Sequence, residues 1–355
     1  MTEKNSTPKS VTYKQAGVDI DAGEAMVDLI KPMVKSTFSE NVLDNFGSFA
    51  GLFSIANGGK YEDPVIAACT DGVGTKLKIA FETGILDSVG IDLVAMSVND
   101  LICGGAKPLF FLDYLAVGAL EPERMALIVK GIVEGCKQSD CALLGGETAE
   151  MPSFYEPEEF DLAGFAVGIA ERSKLISGQN AKPGDIAIGI ASNGIHSNGY
   201  GLARKVMFEI AGYDCQDTPE QFEGRTVGQE LLRPTRIYVK PVLDILEKFD
   251  ADQPVKAMAH ITGGGLPGNL PRVLPKGLTV EIKKGSWDIP AVFNTIAEKG
   301  PVDADEMLRV FNMGVGYVLI VDPEFAGAIK DRLTETGETC WEIGKVVEGS
   351  EIQWA

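Results

Sequence analysis

The run Asp71-Gly72-Val73-Gly74-Thr75-Lys76 holds the side chains needed to grip a phosphorylated ligand. Its two glycines let a backbone turn sharply and come close to a ligand. Backbone N–H groups in such a turn face phosphate oxygens. Asp71 offers a carboxylate to Mg²⁺, Thr75 a hydroxyl donor, and Lys76 a cation that offsets phosphate charge. The run is not a Gly-x-x-x-x-Gly-Lys-Ser/Thr loop, and Leu77 breaks the Gly-x-Gly-x-x-Gly pattern. The same residues also describe a tight turn capped by Asp71, so the motif alone decides nothing.

Two further acids stand beside turns. Asn99-Asp100 falls late in an expected helix, where Asp is a poor interior residue. Facing Asp71, it would complete a carboxylate pair suited to Mg²⁺, which favours carboxylates plus substrate phosphates. Glu147 follows Gly145-Gly146 at an expected strand exit. Each acid also reads as an ordinary solvated carboxylate. Three of them beside turns favour a metal site of Asp71, Asp100 and Glu147.

The only histidines, His196 and His260, both adjoin glycine-rich stretches. His196 lies in the polar run Ser192-Asn-Gly-Ile-His-Ser-Asn-Gly199, which suits a proton carrier near neutral pH. Ser197, Asn198 and Gly199 surround it in a polar loop at an expected strand end. His260 is flanked by Ala259 and Ile261 and reads as structural. Thr262-Gly263-Gly264-Gly265 precedes an expected helix and reads as a phosphate loop or as a flexible connection.

The elements that position these residues show as periodicity. Asp21 to Lys35 has helical spacing, interrupted by Pro32. Pro64 to Cys69 reads as a buried strand delivering the Asp71 loop. Helices are expected over Ile91 to Ile102 and from Glu121-Pro122, with proline in the first turn of the latter. Strands are expected at Leu109 to Val117, Ala142 to Leu144 and Ala163 to Ala170. Lys182-Pro183-Gly184-Asp185 ends a polar stretch that separates two domains, placed at 1–172 and 173–355. The second half opens with the strand Ile186 to Ala191. Helices follow near 200–210, 235–249, 289–299 and 324–336, with strands near 278–283 and at Tyr317 to Val321. Residues 1–11 read as disordered, and the Gly-containing loop Asp44 to Gly51 reads as a closing segment.

Composition excludes several classes. The 355 residues carry a formal net charge of -19, which disfavours double-stranded nucleic acid as a partner. No signal peptide and no membrane-spanning run are visible, so a soluble, cytoplasmic enzyme is expected, and Asn5-Ser6-Thr7 is a chance glycosylation match. Six scattered cysteines with no Cys-x-x-Cys pair read as reduced thiols.

In order along the chain, these stretches resemble one family, phosphoribosylformylglycinamidine cyclo-ligase, also called aminoimidazole ribonucleotide synthetase. The matching runs include Tyr13-Lys-Gln-Ala-Gly-Val-Asp-Ile-Asp-Ala-Gly23, Asp71 to Lys76, Gly90 to Asp100 and Pro108-Leu-Phe-Phe-Leu-Asp-Tyr114. They continue with Gly145-Gly-Glu-Thr-Ala-Glu-Met-Pro152, His196-Ser-Asn-Gly-Tyr200, Pro234 to Lys240, Thr262 to Gly265 and Phe311-Asn-Met-Gly-Val-Gly316. Formylglycinamidine ribonucleotide synthetase, selenophosphate synthetase and thiamine-phosphate kinase share the Asp-Gly loop. The Tyr13 and Gly145 runs favour the cyclo-ligase. Two departures are Asn45-Phe46-Gly47-Ser48, where the family is often richer in glycine, and Ser192-Asn193-Gly194-Ile195.

The resemblance implies a mixed α+β and α/β fold of two domains. The N-terminal domains would pair across a homodimer into a β-barrel along which ATP binds, and a C-terminal α/β domain would complete the cleft. It implies ATP-dependent ring closure of formylglycinamidine ribonucleotide, with Mg²⁺. Asp71 to Lys76, Asn99, Asp100 and the helix lysine Lys31 would meet ATP. His196, Ser197, Asn198, Thr262, Gly263 and Gly264 would meet substrate, with His196, Asp100 and Lys31 catalytic. A small-molecule kinase on the same scaffold and a nucleotide-binding regulatory module are the alternatives.

Overall fold

The computed structural model describes residues 17–43, 50–55 and 61–355. The expected disordered start, the Asn5 run, the first four residues of the Tyr13 run and the closing segment over 44–49 lie outside the described residues.

The first half begins with α1 (Ile20–Lys35), capped by Asp19, whose Oδ1 accepts from the Ala22 N–H at 3.4 Å. The helix runs on past Pro32, which removes one backbone donor without ending it. Then come β1 (Pro64–Gly72), a 3-10 turn at Gly74–Lys76, α2 (Leu77–Thr83) and α3 (Asp87–Ile102). The half closes with β2 (Lys107–Val117), α4 (Pro122–Gln138), β3 (Ala142–Glu150) and β4 (Phe160–Glu171). The strands form an open sheet in the order β1-β4-β2-β3, antiparallel except for β2 with β3. One face is covered by α3 and α4. Their backbones touch at two glycines: a side chain on Gly90 would strike the Ile128 carbonyl, and one on Gly131 the Asp87 carbonyl. The other face leaves Ile66, Tyr114 and Phe165 exposed.

The second half contains β5 (Ile186–Ala191), α5 (Tyr200–Arg204), α6 (Val227–Leu231), α7 (Val239–Lys248), β6 (Val255–His260) and α8 (Gly265–Asn269). It continues with β7 (Leu278–Ile282), α9 (Ala291–Lys299), α10 (Ala304–Val310), β8 (Val315–Val321), α11 (Ala326–Glu335), β9 (Cys340–Glu348) and β10 (Gln353–Trp354). Its six-stranded sheet runs β10-β7-β9-β5-β8-β6. The all-apolar strand β8 is buried throughout, as a strand covered on both faces must be.

α3 lies between the two sheets and touches strands of both. Its apolar residues, such as Leu93 and Val98, join one core with Ile190 of β5 and Tyr317 of β8. The two halves therefore share a core. All six cysteines are free thiols.

Candidate active site

Three side chains meet where α3 ends, β1 ends and β6 ends. Asp100 occupies the last turn of α3, and its Oδ1 accepts from the Nδ1 of His260 at 2.8 Å. The His260 ring is 1% exposed, while Asp100 remains 48% exposed. Asp71 lies beside them as the penultimate residue of β1, its Oδ1 accepting from the Gly72 N–H at 2.7 Å. Burial raises the pKa of the Asp71 carboxyl, and the negative charge of Asp100 adds to the rise. Cys69 shares this inner face of β1, and its thiol is pushed up to about 12, first by burial and then by the two acids. That thiol is therefore inert.

The pair fits a Mg²⁺ ion. One Asp100 oxygen is spent on His260 and the other is uncommitted, and Mg²⁺ asks for one or two carboxylates plus phosphate and water oxygens. Among the described residues no group of three metal-ligating side chains forms, so Glu147 does not join the pair within one chain. The reason is topological. Glu147 lies inside β3, not at a strand exit, and aligns through Tyr114 and Ala163 with Gly72. Three inter-strand steps separate it from β1, about 14 Å. Lys31, exposed on α1, also sits on the β3 side, because α1 packs on α4 and β3.

The Asp71 loop is a strand end that passes through one 3-10 turn into α2. Gly72, Gly74 and Thr75 keep some exposure beside Asp71, but Val73 turns into the core. Lys76 corrects the sequence expectation most sharply. Its ammonium is fully buried, 2.7 Å from Asp92 Oδ2, and donates to the carbonyls of His196 at 2.9 Å and Arg233 at 2.8 Å. All three of its donors are used, so none is left for phosphate. Burial lowers its pKa and the Asp92 carboxylate opposes that.

Three more expected site residues belong to the same inter-domain clamp. Asp92 Oδ1 accepts from the Thr235 N–H at 2.6 Å and from Ser197 Oγ at 3.1 Å. Asn99 donates to the Arg236 carbonyl at 2.8 Å and accepts from the Tyr238 N–H at 2.9 Å. His196 is buried, has φ +66°, and accepts at Nε2 from the Asn193 N–H at 3.1 Å. Burial pushes its pKa well below 6.5, and the charges of His260 and Lys76 push the same way. A neutral, enclosed ring does not suit a proton carrier. Lys76, Asn99, His196 and Ser197 thus join the two halves.

The loop expected to meet substrate assembles differently. Thr262, Gly263 and Gly264 follow the end of β6 one residue after His260, which bonds Asp100. Asn269 fixes their path by donating to the carbonyls of Thr262 at 3.3 Å, Gly263 at 3.2 Å and Gly265 at 2.9 Å. Asn198 closes on Gly263 from the other side, its Nδ2 3.8 Å from where a Cβ would stand. Asp71, Asp100, Asn198 and Thr262 to Gly264 are therefore grouped around this junction. His260 and Asp92 were missed as site-forming residues. Asp92 carried a signal, being a charge at an otherwise apolar position of α3.

The family description "AIR synthase related protein, N-terminal domain" matches residues 51–170, and the corresponding C-terminal domain matches residues 182–354. A phosphoribosylformylglycinamidine cyclo-ligase of Trichlorobacter lovleyi is 52% identical over 348 residues, 98% of each chain. The chain belongs to the phosphoribosylformylglycinamidine cyclo-ligase family. Another member, from Citrifermentans bemidjiense, is 53% identical over 95% of each chain. Solved structures outside the cyclo-ligase family share the fold. A thiamine-monophosphate kinase from Stenotrophomonas maltophilia superposes with a TM-score of 0.64 at 16% identity, covering 93% of this chain and 95% of that one. The hydrogenase maturation protein HypE in complex with ATP gives 0.63 at 16% identity, covering 92% and 90%.

Proposed function

We propose that this chain catalyses the ATP-dependent cyclisation of formylglycinamidine ribonucleotide to aminoimidazole ribonucleotide, releasing ADP and phosphate. The observation that carries this is the 52% identity to a cyclo-ligase over 98% of both chains. A formamide oxygen is a poor leaving group. Transfer of the γ-phosphoryl group of ATP to that oxygen makes it a good one. An amidine nitrogen then attacks the formyl carbon, the C–N bond closes the ring, and the C–O bond breaks with phosphate as leaving group. Such chemistry asks the protein for positioning and charge neutralisation more than for a nucleophile. Mg²⁺, when bound, neutralises charge on the phosphates. Asp71 and Asp100 hold it, the Gly72 to Thr75 turn lies against the phosphates, and Asn198 with Thr262, Gly263 and Gly264 meets the ribonucleotide. ATP as the phosphoryl donor is also supported by the shared fold of the ATP-bound HypE.

The reading includes a cytoplasmic homodimer and a division of the chain at 172/173. The exposed Ile66, Tyr114 and Phe165 supply an apolar sheet face for a second copy. Lys31 and Glu147 lie on the opposite edge of the sheet from Asp71. Pairing two sheets into a closed barrel lets the partner's edge bring such a lysine and glutamate to ATP.

The test is a reconstituted reaction followed by product chromatography. Aminoimidazole ribonucleotide should form only when ATP, Mg²⁺ and formylglycinamidine ribonucleotide are all present. A stable phosphorylated product without ring closure would identify a kinase instead. ATP binding with no turnover would identify a regulatory module.

A further inference from the structure

His260 and Asp100 come from different halves of the molecule, yet they make one short hydrogen bond. The ring of His260 cannot wander. It is the last residue of β6, aligned with Tyr317 of β8, and the two rings stack at 6.4 Å with 29° between their planes. Its Nε2 is buried with no partner, so the ring's one polar commitment is through Nδ1. An ionised carboxylate only accepts, which makes Nδ1–H the donor. Asp100 is the opposite case, a half-exposed side chain that would otherwise sample several rotamers.

We propose that His260 is a positioning residue: its Nδ1–H fixes Oδ1 of Asp100 so that the remaining oxygen points at the bound metal. The proposal rests on reading Asp100 as a Mg²⁺ ligand. Ordering a carboxylate costs conformational entropy, and a rigid donor lowers that cost before the metal arrives. Hydrogen-bond partners of metal ligands typically contribute about 10–100-fold to affinity. The arrangement also ties the metal site to the strand that delivers the Thr262 loop.

The geometry gives a discriminating set of variants. The amide nitrogen of Asn sits at the position of Nδ1, while that of Gln extends to the position of Nε2. Mn²⁺ binding would be titrated in the presence of a non-hydrolysable ATP analogue, using His260→Asn, His260→Gln, His260→Ala and Asp100→Asn in the full chain. Thermal midpoints without metal are recorded alongside, and a stability loss common to Asn and Gln leaves their contrast readable. The expected result is Mn²⁺ affinity about 10-fold weaker in the Ala and Gln variants and near native in the Asn variant. Native affinity in all three His260 variants, with affinity lost in Asp100→Asn, overturns the role of His260 alone. So does an Asn variant as weak as the Ala variant. Native affinity in Asp100→Asn overturns the metal reading and the proposal with it.

Discussion

At the scale of single residues, burial separates charges that bind ligands from charges that hold the protein together. Lys76 and His196 have the types and spacing of catalytic groups, yet both are enclosed. Removing the lysine leaves Asp92 buried without its cation. Lys76→Met is expected to cost about 3–5 kcal/mol, read as a lower urea midpoint. His196 makes a pH-dependent contribution whose sign follows from its depressed pKa. Above 6.5 it is neutral in both folded and unfolded chains, so its contribution is fully present. As pH falls below 6.5 the unfolded chain takes up a proton that the folded one refuses, and stability falls by up to about 1.4 kcal/mol per pH unit. Urea titrations of His196→Asn between about pH 5 and 8 should show a shallower acid limb than the native protein. An unchanged slope would show that His196 titrates normally. Sequence pattern singled out Asp71 and Asp100 because each adjoins a turn, and the structure places both at element ends. It misassigned Lys76 because a lysine after a glycine turn looks the same whether it faces phosphate or a carboxylate 16 positions later.

At the scale of elements, periodicity served where one face of an element is apolar and the other wet. The α4 pattern, with Pro122 at its start, matches the observed helix. Strand β5 was legible at both ends, from Ile186 to Ala191. Strands β6 and β9 were not, because β6 mixes Lys256 and His260 into its run and β9 alternates irregularly. Glu147 was placed in a loop because Gly145-Gly146 reads as a turn, although both glycines lie within β3. Glycines inside helices supply a paired test. Gly131→Ala gains about 1 kcal/mol in helix propensity. It also drives a methyl group into the Asp87 carbonyl of α3, and overpacking of this kind costs about 1–3 kcal/mol. Backbone cannot step aside, so a net loss is expected. Gly23 in α1 meets nothing, so Gly23→Ala should stabilise by about 0.5–1 kcal/mol. Thermal melts of the two variants should move in opposite directions.

At the scale of the whole molecule, the four-stranded sheet leaves Ile66, Tyr114 and Phe165 exposed on one face. Phe165 and Tyr114 belong to neighbouring strands on that face. If the proposed homodimer forms through this face, Phe165→Glu leaves a monomer in analytical ultracentrifugation and abolishes turnover. A dimer that persists would place the interface elsewhere. Family membership was legible in the sequence because many short runs recur in order. The distribution of the expected site residues over two sheet edges was not, since it depends on the strand order β1-β4-β2-β3 and not on spacing along the chain.

The clamp around Asp92 also bears on how the chain is made. Thr235, which donates to Asp92, stands 143 positions downstream of it. During synthesis α3 leaves the ribosome well before the residues that neutralise its carboxylate and cover its apolar flank. The first half is therefore an unfinished body while the second is being translated, with a charge and a hydrophobic surface both awaiting their complement. Ribosome-bound chains that stop before Thr235 should bind nascent-chain chaperones and be cleaved by protease, and released full-length chains should resist both.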